Sequence, residues 1–182
     1  YLLLGDLNLK RNNLPQAIKE VDQLIAKNDK LPAAYLLKAY YLQLSKDHAG
    51  AMENYRKTLK LDPDSTAANN NLAWLLSESG TGLEEALNLA KAARKKDPDN
   101  PEVADTLGWI YYRMKNYTLA VDQLLFSVNN RRQPRAEHYY RLGMAYHAKG
   151  DKTLAKQTLR KALEIDSKFA GAEEARQMLK QI

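Results

Sequence analysis

VADTLGWIYYRMKNYTLA (Val103–Ala120) and HYYRLGMAYHAKGDKTLA (His138–Ala155) follow one plan, 35 residues apart. Each places Leu-Gly-x-x-Tyr ahead of an alanine: Leu107, Gly108 and Tyr111 precede Ala120, and Leu142, Gly143 and Tyr146 precede Ala155. Working outward, the alanines extend to a series, Ala17, Ala51, Ala86, Ala120 and Ala155, with separations of 34, 35, 34 and 35 residues. A second small-residue series, Gly5, Ala39, Ala73, Gly108 and Gly143, runs twelve or thirteen residues upstream of the first. Self-similarity at a fixed period of this length marks a repeat architecture. Two small residues recurring at one pair of offsets require two helices that approach closely at the same place in every repeat, because a larger side chain there would force the axes apart at a cost of roughly 1–3 kcal/mol.

The punctuation between these positions agrees. Asp62-Pro63-Asp64 and Asp97-Pro98-Asp99 end a helix, since proline lacks the N–H and restricts the residue before it. Asp64, Ser65 or Asn100 then caps the next helix, and Pro101 suits its first turn. Lys149-Gly150-Asp151 and Lys115-Asn116 read as tight inner turns, in which glycine or asparagine takes the left-handed conformation. Helices of about 12–15 residues fill the intervals, and no stretch reads as a strand.

The pattern resembles the tetratricopeptide repeat family, whose signature combines an aromatic residue, L-G-x-x-Y, a later A-x-x-x-F/Y and a closing proline. The resemblance implies an all-α, right-handed superhelical solenoid of helix-turn-helix repeats. The whole chain, 1–182, reads as a single array with repeats at about 1–31, 32–65, 66–100, 101–135 and 136–169. A last helix over 170–182 sets Ala172, Ala175, Leu179 and Ile182 on one stripe with a charged back, which suits a solvating cap. Departures are local. Lys38 stands where leucine is usual, the turn Ser77–Gly82 carries an extra residue, and the run Asn129–Pro134 lengthens the fourth connection. The first repeat begins at Tyr1 with no cap of its own, so further repeats are expected before it.

In that family the first helix of each hairpin lines a concave groove. Carried over position by position, the groove holds Leu2, Asp6 and Leu9; Leu36, Tyr40 and Gln43; Asn70, Trp74 and Ser77; Asp105, Trp109 and Tyr112; and Tyr140, Met144 and His147. Tyr40, Trp74, Trp109 and Met144 form a ladder spaced by 34, 35 and 35 residues. Rungs about 8–10 Å apart would pass roughly three residues of an extended peptide, which rises about 3.3 Å per residue. The alternative for the two indoles is ordinary core packing between repeats. Arg113 and Arg141 could fix one carboxylate or phosphate near the C-terminal end, or simply be solvated. A carboxylate clamp of the kind some family members use is not expected, because Leu2, Asp6, Leu36 and Tyr40 occupy clamp positions and Glu137 stands where lysine is wanted.

Composition bounds the chemistry. The 182 residues are 45% hydrophobic and 27% charged, enough apolar surface for a core and too ordered a mixture for a disordered chain. Lysine and arginine exceed aspartate and glutamate by 28 − 22 = 6, but both signs interleave and no groove-reading motif accompanies the excess, so nucleic acid is not an expected partner. The one basic cluster is Arg131, Arg132 and Arg135, read as a solvated connection. Without cysteine there is no disulfide, thiol chemistry or cysteine zinc site. The three histidines, His48, His138 and His147, fall outside any metal-ligand spacing, and Glu84-Glu85 and Glu173-Glu174 point to different helix sides. No cofactor and no catalysis are expected.

The expected function is a non-catalytic scaffold that holds a peptide or partner domain. The phrases Leu72-Ala-Trp74 and Val103–Trp109 are also similar to tetratricopeptide regions of large bacterial envelope proteins, some of them in exopolysaccharide synthesis and export. That similarity motivates polysaccharide contact through Asn70, Trp74, Asp105, Trp109 and Tyr112 as the alternative, with a spacer or self-association role as a third.

Overall fold

The computed structural model describes residues 13–182, so the expectations for Gly5, Leu2, Asp6 and Leu9 lie outside the described residues. Ten α-helices follow one another: α1 (Leu14–Lys27), α2 (Pro32–Leu44), α3 (His48–Leu61), α4 (Thr66–Ser79), α5 (Leu83–Lys96), α6 (Pro101–Arg113), α7 (Tyr117–Asn129), α8 (Ala136–Lys149), α9 (Lys152–Ile165) and α10 (Ala172–Gln181). No strand occurs among the described residues.

Helices pair as antiparallel hairpins, α2–α3, α4–α5, α6–α7 and α8–α9, and each hairpin packs on the next to make a solenoid. The pairing is set by the small residues. Ala17, Ala51, Ala86, Ala120 and Ala155 are all fully buried, as are Ala39 and Ala73. A Cβ added at Gly108 would sit 2.7 Å from Leu124 Cγ and 3.0 Å from the Leu124 backbone nitrogen. At Gly143 it would meet Leu159, also at 2.7 Å. The core is a series of clusters along the stack, with Tyr55, Leu72, Ile110, Leu124 and Leu159 fully buried or nearly so.

Buried polar groups are tied to the same frame. Tyr55, in the Ala51-x-x-x-Tyr55 position, donates to Gln43 Oε1 at 2.8 Å and accepts from Asn71 Nδ2 at 3.2 Å. Burial pushes its hydroxyl up to about 12. Asn69 ties the connection before α4, donating to the carbonyls of Pro63 and Ser65 at 3.0 and 3.1 Å.

Caps recur with the repeat. Asn13, Asp47 and Asn116 each accept from a backbone N–H in the first turn of a second helix, and Asn100 does so for α6. Ser65 precedes α4 but its side chain makes no cap bond. The inner turns differ from expectation in one detail. The left-handed residues are Lys46 (φ 66°) and Lys115 (φ 62°), in the place that Gly150 occupies in the α8–α9 hairpin. Asn116 instead has φ −89° and is used as the cap. α10 closes the stack: Ala172 and Ala175 are buried with Phe169, and Met178, Leu179 and Ile182 pack against them.

Two stability tests follow from this frame. Lys115→Gly should raise the unfolding free energy by about 1 kcal/mol, because a left-handed backbone costs an L-residue roughly 1–2 kcal/mol and glycine entropy takes back part of the gain. Gly108→Ala should lower it by about 1–3 kcal/mol, and Gly143→Ala by less, since Gly143 meets mainly the movable end of Leu159. Urea titrations measure both; a neutral Gly108→Ala would contradict the close approach.

Candidate functional site: the inner wall of the first helices

The first helices α2, α4, α6 and α8 form one wall. α4 approaches α6, and α6 approaches α8, more closely than successive second helices approach one another. The curvature is strong enough that Arg141 of α8 reaches Trp74 of α4, two hairpins away, across α6.

Arg141 is the centre of this wall. Its guanidinium carbon lies 4.5 Å from the Trp74 ring centre and 5.9 Å from that of Trp109, within cation–π range of both. One nitrogen donates to Asp105 Oδ2. The side chain is only 16% exposed, and Asp105 is buried beneath it at 5%. Burial pushes the Asp105 carboxyl up to about 6 against the opposite pull of Arg141, so it is ionised at neutral pH and holds the guanidinium in place. The remaining nitrogens of Arg141 make no hydrogen bond among the described residues, and none of them is sealed from solvent.

The aromatic residues are organised around the same point. Trp109 stacks on Tyr112 with ring centres 4.7 Å apart and planes 8° apart, and its Nε1 donates to Glu78 at 2.8 Å. Tyr112 also meets Tyr117 at 5.8 Å. Arg113 lies 3.7 Å from the same Glu78. Trp74 is half-buried and packs against the core cluster that runs from α2 to α6. Further along, Tyr140 tilts against Phe169 at 5.4 Å, and Met144 and His147 are half-buried. Asn70 is half-buried and donates to Asn71 at 3.3 Å.

Several of the expected groove residues sit otherwise than the repeat positions suggested. Asp105 is not an exposed acid but the buried anchor of Arg141. Arg113 and Arg141 each have an acid beside them: Glu78 lies 3.7 Å from Arg113, and Asp105 accepts from Arg141. Ser77 is fully buried and donates to the Trp74 carbonyl at 2.8 Å, so it lines nothing. Tyr40, 43% exposed, stands outside the cluster on α2. Trp74, Trp109 and Tyr112 do come together, with Leu36 and Gln43 half-buried nearer Tyr40.

A polar seam missed from the sequence runs from this site through the interface between the α6–α7 and α8–α9 hairpins. His138, with its side chain 6% exposed, sits 3.8 Å from Asp105 on one side and 3.8 Å from Glu102 on the other. Glu102 accepts from Arg131 at 2.6 Å. Burial holds the His138 imidazole down to about 3, helped by Arg131 and Arg141. Asp105 and Arg141 are 36 residues apart, one repeat and one position, which puts them on neighbouring first helices but does not by itself show that they meet. No group of three or more His, Asp or Glu side chains able to hold a metal is present among the described residues. No helix there is long and apolar enough to cross a membrane.

Comparison with known proteins gives the repeats their family. Models described as tetratricopeptide repeat match residues 2–66 and 136–169. A TPR repeat-containing protein of Pseudomonas aeruginosa is 36% identical over 67 residues, which is 37% of this chain and 11% of that protein. The chain therefore matches only a small part of that relative. Among solved structures, MamA 41-end from Desulfovibrio magneticus RS-1 superposes with TM-score 0.77 at 18% identity, covering 90% of this chain and 91% of that one. YrrB, a TPR protein with an unusual peptide-binding site, superposes with TM-score 0.73 at 18% identity, covering 95% and 88%.

The buried pair predicts a sharp asymmetry. Arg141→Leu or Asp105→Leu alone should cost about 3 kcal/mol or more by stranding one charge, whereas the double variant should recover most of the loss. A double-mutant cycle read by urea unfolding decides it; additive losses would contradict a coupled pair. His138 gives a pH test. Its folded value lies below the unfolded value of about 6.5, so its contribution is present above that pH and is lost as pH falls toward 3. Asp105 runs the other way, its contribution present below about 3.8 and lost as pH rises through 6. Wild type and His138→Gln should therefore converge in stability between pH 7 and pH 4; a constant gap would show that the imidazole is not held neutral.

Proposed function

We propose that this chain, whose repeats are those of the tetratricopeptide family, is a non-catalytic scaffold that holds a peptide segment or partner domain along the inner wall of α2, α4, α6 and α8. The observation that carries this reading is the preorganised Arg141. Its guanidinium lies over Trp74 and is fixed by Asp105, and its remaining nitrogens are not sealed from solvent. A donor fork already locked in position loses little freedom on binding, which is where much of an interface's affinity is otherwise spent. It suits a carboxylate or backbone carbonyl of the bound segment. Trp109 and Tyr112, beside it, are the residue types that most often anchor interfaces. YrrB, with a similar fold, is itself described as having a peptide-binding site, which supports the class of partner.

Polysaccharide contact draws less support. Sugar stacking needs open aromatic faces, whereas Arg141 covers Trp74 and Tyr112 covers one face of Trp109. Titration with oligosaccharides under tryptophan fluorescence is expected to leave the emission unchanged.

Peptides selected by display against the chain provide the direct test, with affinity and melting temperature measured side by side. Trp109→Ala should weaken binding roughly thirtyfold, equivalent to about 2 kcal/mol at a hot spot, with a smaller loss of stability. Lys91→Ala, on the exposed side of α5, should change neither. A melt that collapses while affinity survives would mean that the indole belongs to the core and not to the binding surface.

A further inference from the structure

The second helices share a row of equivalent positions, one residue after each buried alanine: Ile18, Met52, Leu87, Val121 and Lys156. The first four each belong to a core cluster that also holds residues of the following hairpin. The fifth is a cation. Lys152 and Arg160, one turn to either side of it on α9, are cations as well, where α7 carries Tyr117 and Leu125. Lys152, Thr153, Lys156, Gln157 and Arg160 line an open furrow of about 300 Å³ together with Ile182 at the end of α10. The face on which a further second helix would stack is therefore charged, with one apolar residue at its edge.

This row is unsatisfied within the fold. Lys149 lies 3.5 Å from Asp151 and Lys161 lies 3.3 Å from Glu164, but the side chains of Lys152, Lys156 and Arg160 make no ion pair or hydrogen bond with any described residue. Like charges four residues apart destabilise a helix, so the row works against α9 itself. The molecule also shows what such a row receives. Arg56, five residues after Ala51, pairs with both carboxylate oxygens of Glu85 on the next second helix, α5. Arg160 stands five residues after Ala155, and no second helix follows it among the described residues. An ordinary hairpin partner does not fit against α10 either. The residues 34 and 35 positions beyond Gly143 are Gln177 and Met178, where each earlier first helix carries glycine or alanine.

We propose that this furrow seats an acidic helix of a partner protein, lying beside α9 in the second-helix place. Its carboxylates, one turn apart, meet Lys152, Lys156 and Arg160, and an apolar side chain rests on Ile182. Arg160 takes its acid as Arg56 takes Glu85, so the docked helix continues the stacking already present between α3 and α5. No aromatic residue lines the furrow, which disfavours a single-stranded nucleic acid, since that needs rings on which bases stack. None of these residues belongs to the inner wall, so the proposal does not rest on the groove.

The test is fluorescence anisotropy with a labelled, stapled helical peptide that carries glutamate at every fourth position and leucine on the adjoining stripe. The same peptide with glutamine for glutamate is the control. Saturable binding of the glutamate peptide, at least tenfold tighter than the control and weakening as salt rises, is the expected result. Lys152→Gln/Arg160→Gln, which changes exposed side chains only, should weaken binding at least tenfold with a melting temperature no lower than that of wild type. Arg132→Gln/Arg135→Gln removes the same two charges from an exposed connection and should leave the affinity unchanged. The proposal is overturned by binding that does not saturate, by equal affinity for the two peptides, by wild-type affinity in the α9 variant, or by an equal loss in the connection variant. A dimer seen by light scattering and abolished by the α9 variant would give the face to a second copy of the chain. Tighter binding to phosphatidylserine vesicles than to the peptide would give it to a lipid surface, and either result also overturns the proposal. Groove-peptide affinity should be the same in the α9 variant, so the two surfaces stand or fall separately.

Discussion

Everything in this molecule depends on how closely the two helices of a hairpin can approach. Gly108 against Leu124 and Gly143 against Leu159 leave no room for a single added carbon, and alanines occupy the equivalent places at Ala39 and Ala73. Close approach does two things. It brings enough backbone and side-chain atoms into contact for short helices of 13 or 14 residues, marginal by themselves, to be stable. It also fixes the angle at which each hairpin meets the next, so that the first helices converge and the second helices splay. A repeat architecture multiplies any such local geometry, since every unit sees only its neighbours.

The inner wall is the consequence. Because the first helices converge, a side chain on α8 can touch a ring on α4, and the charges of Arg141 and Asp105 meet where little water reaches. Burying such a pair adds little net stability, but it makes the geometry definite, as breaking either half is costly. The wall is therefore not a row of free aromatic pegs. Trp74, Trp109 and Tyr112 are held by Arg141, Glu78 and one another. The same seam continues through His138 and Glu102 to Arg131, so the inner wall and the outer connection share one interface between hairpins.

The hairpins were legible in the sequence because close packing leaves a mark on residue size: a glycine or alanine recurs every 34 or 35 residues wherever two helix axes must nearly touch. Caps were legible for a similar reason, since Asn100 has the side chain that a first turn requires. The left-handed turn was misplaced onto Asn116 because local preference favours asparagine, whereas the hairpin geometry imposes that conformation on Lys115, one residue earlier. Side-chain pairing across the solenoid was not legible. Repeat position told which helix carried Asp105 and Arg141, but not that curvature would carry one charge over the other, nor that Glu78 would take both Trp109 and Arg113. Ser77 shows the same limit: its repeat position pointed inward, but its hydroxyl turned back to the Trp74 carbonyl.

Photo-crosslinking from two single positions in the chain tests the proposed recognition on the inner wall most directly. A crosslinker at Tyr112 sits on that wall, and one at Lys91 sits on the exposed side of a second helix. The account predicts that a bound peptide is captured from position 112 and not from position 91. Capture from 91 alone would place recognition on the outer surface and contradict it.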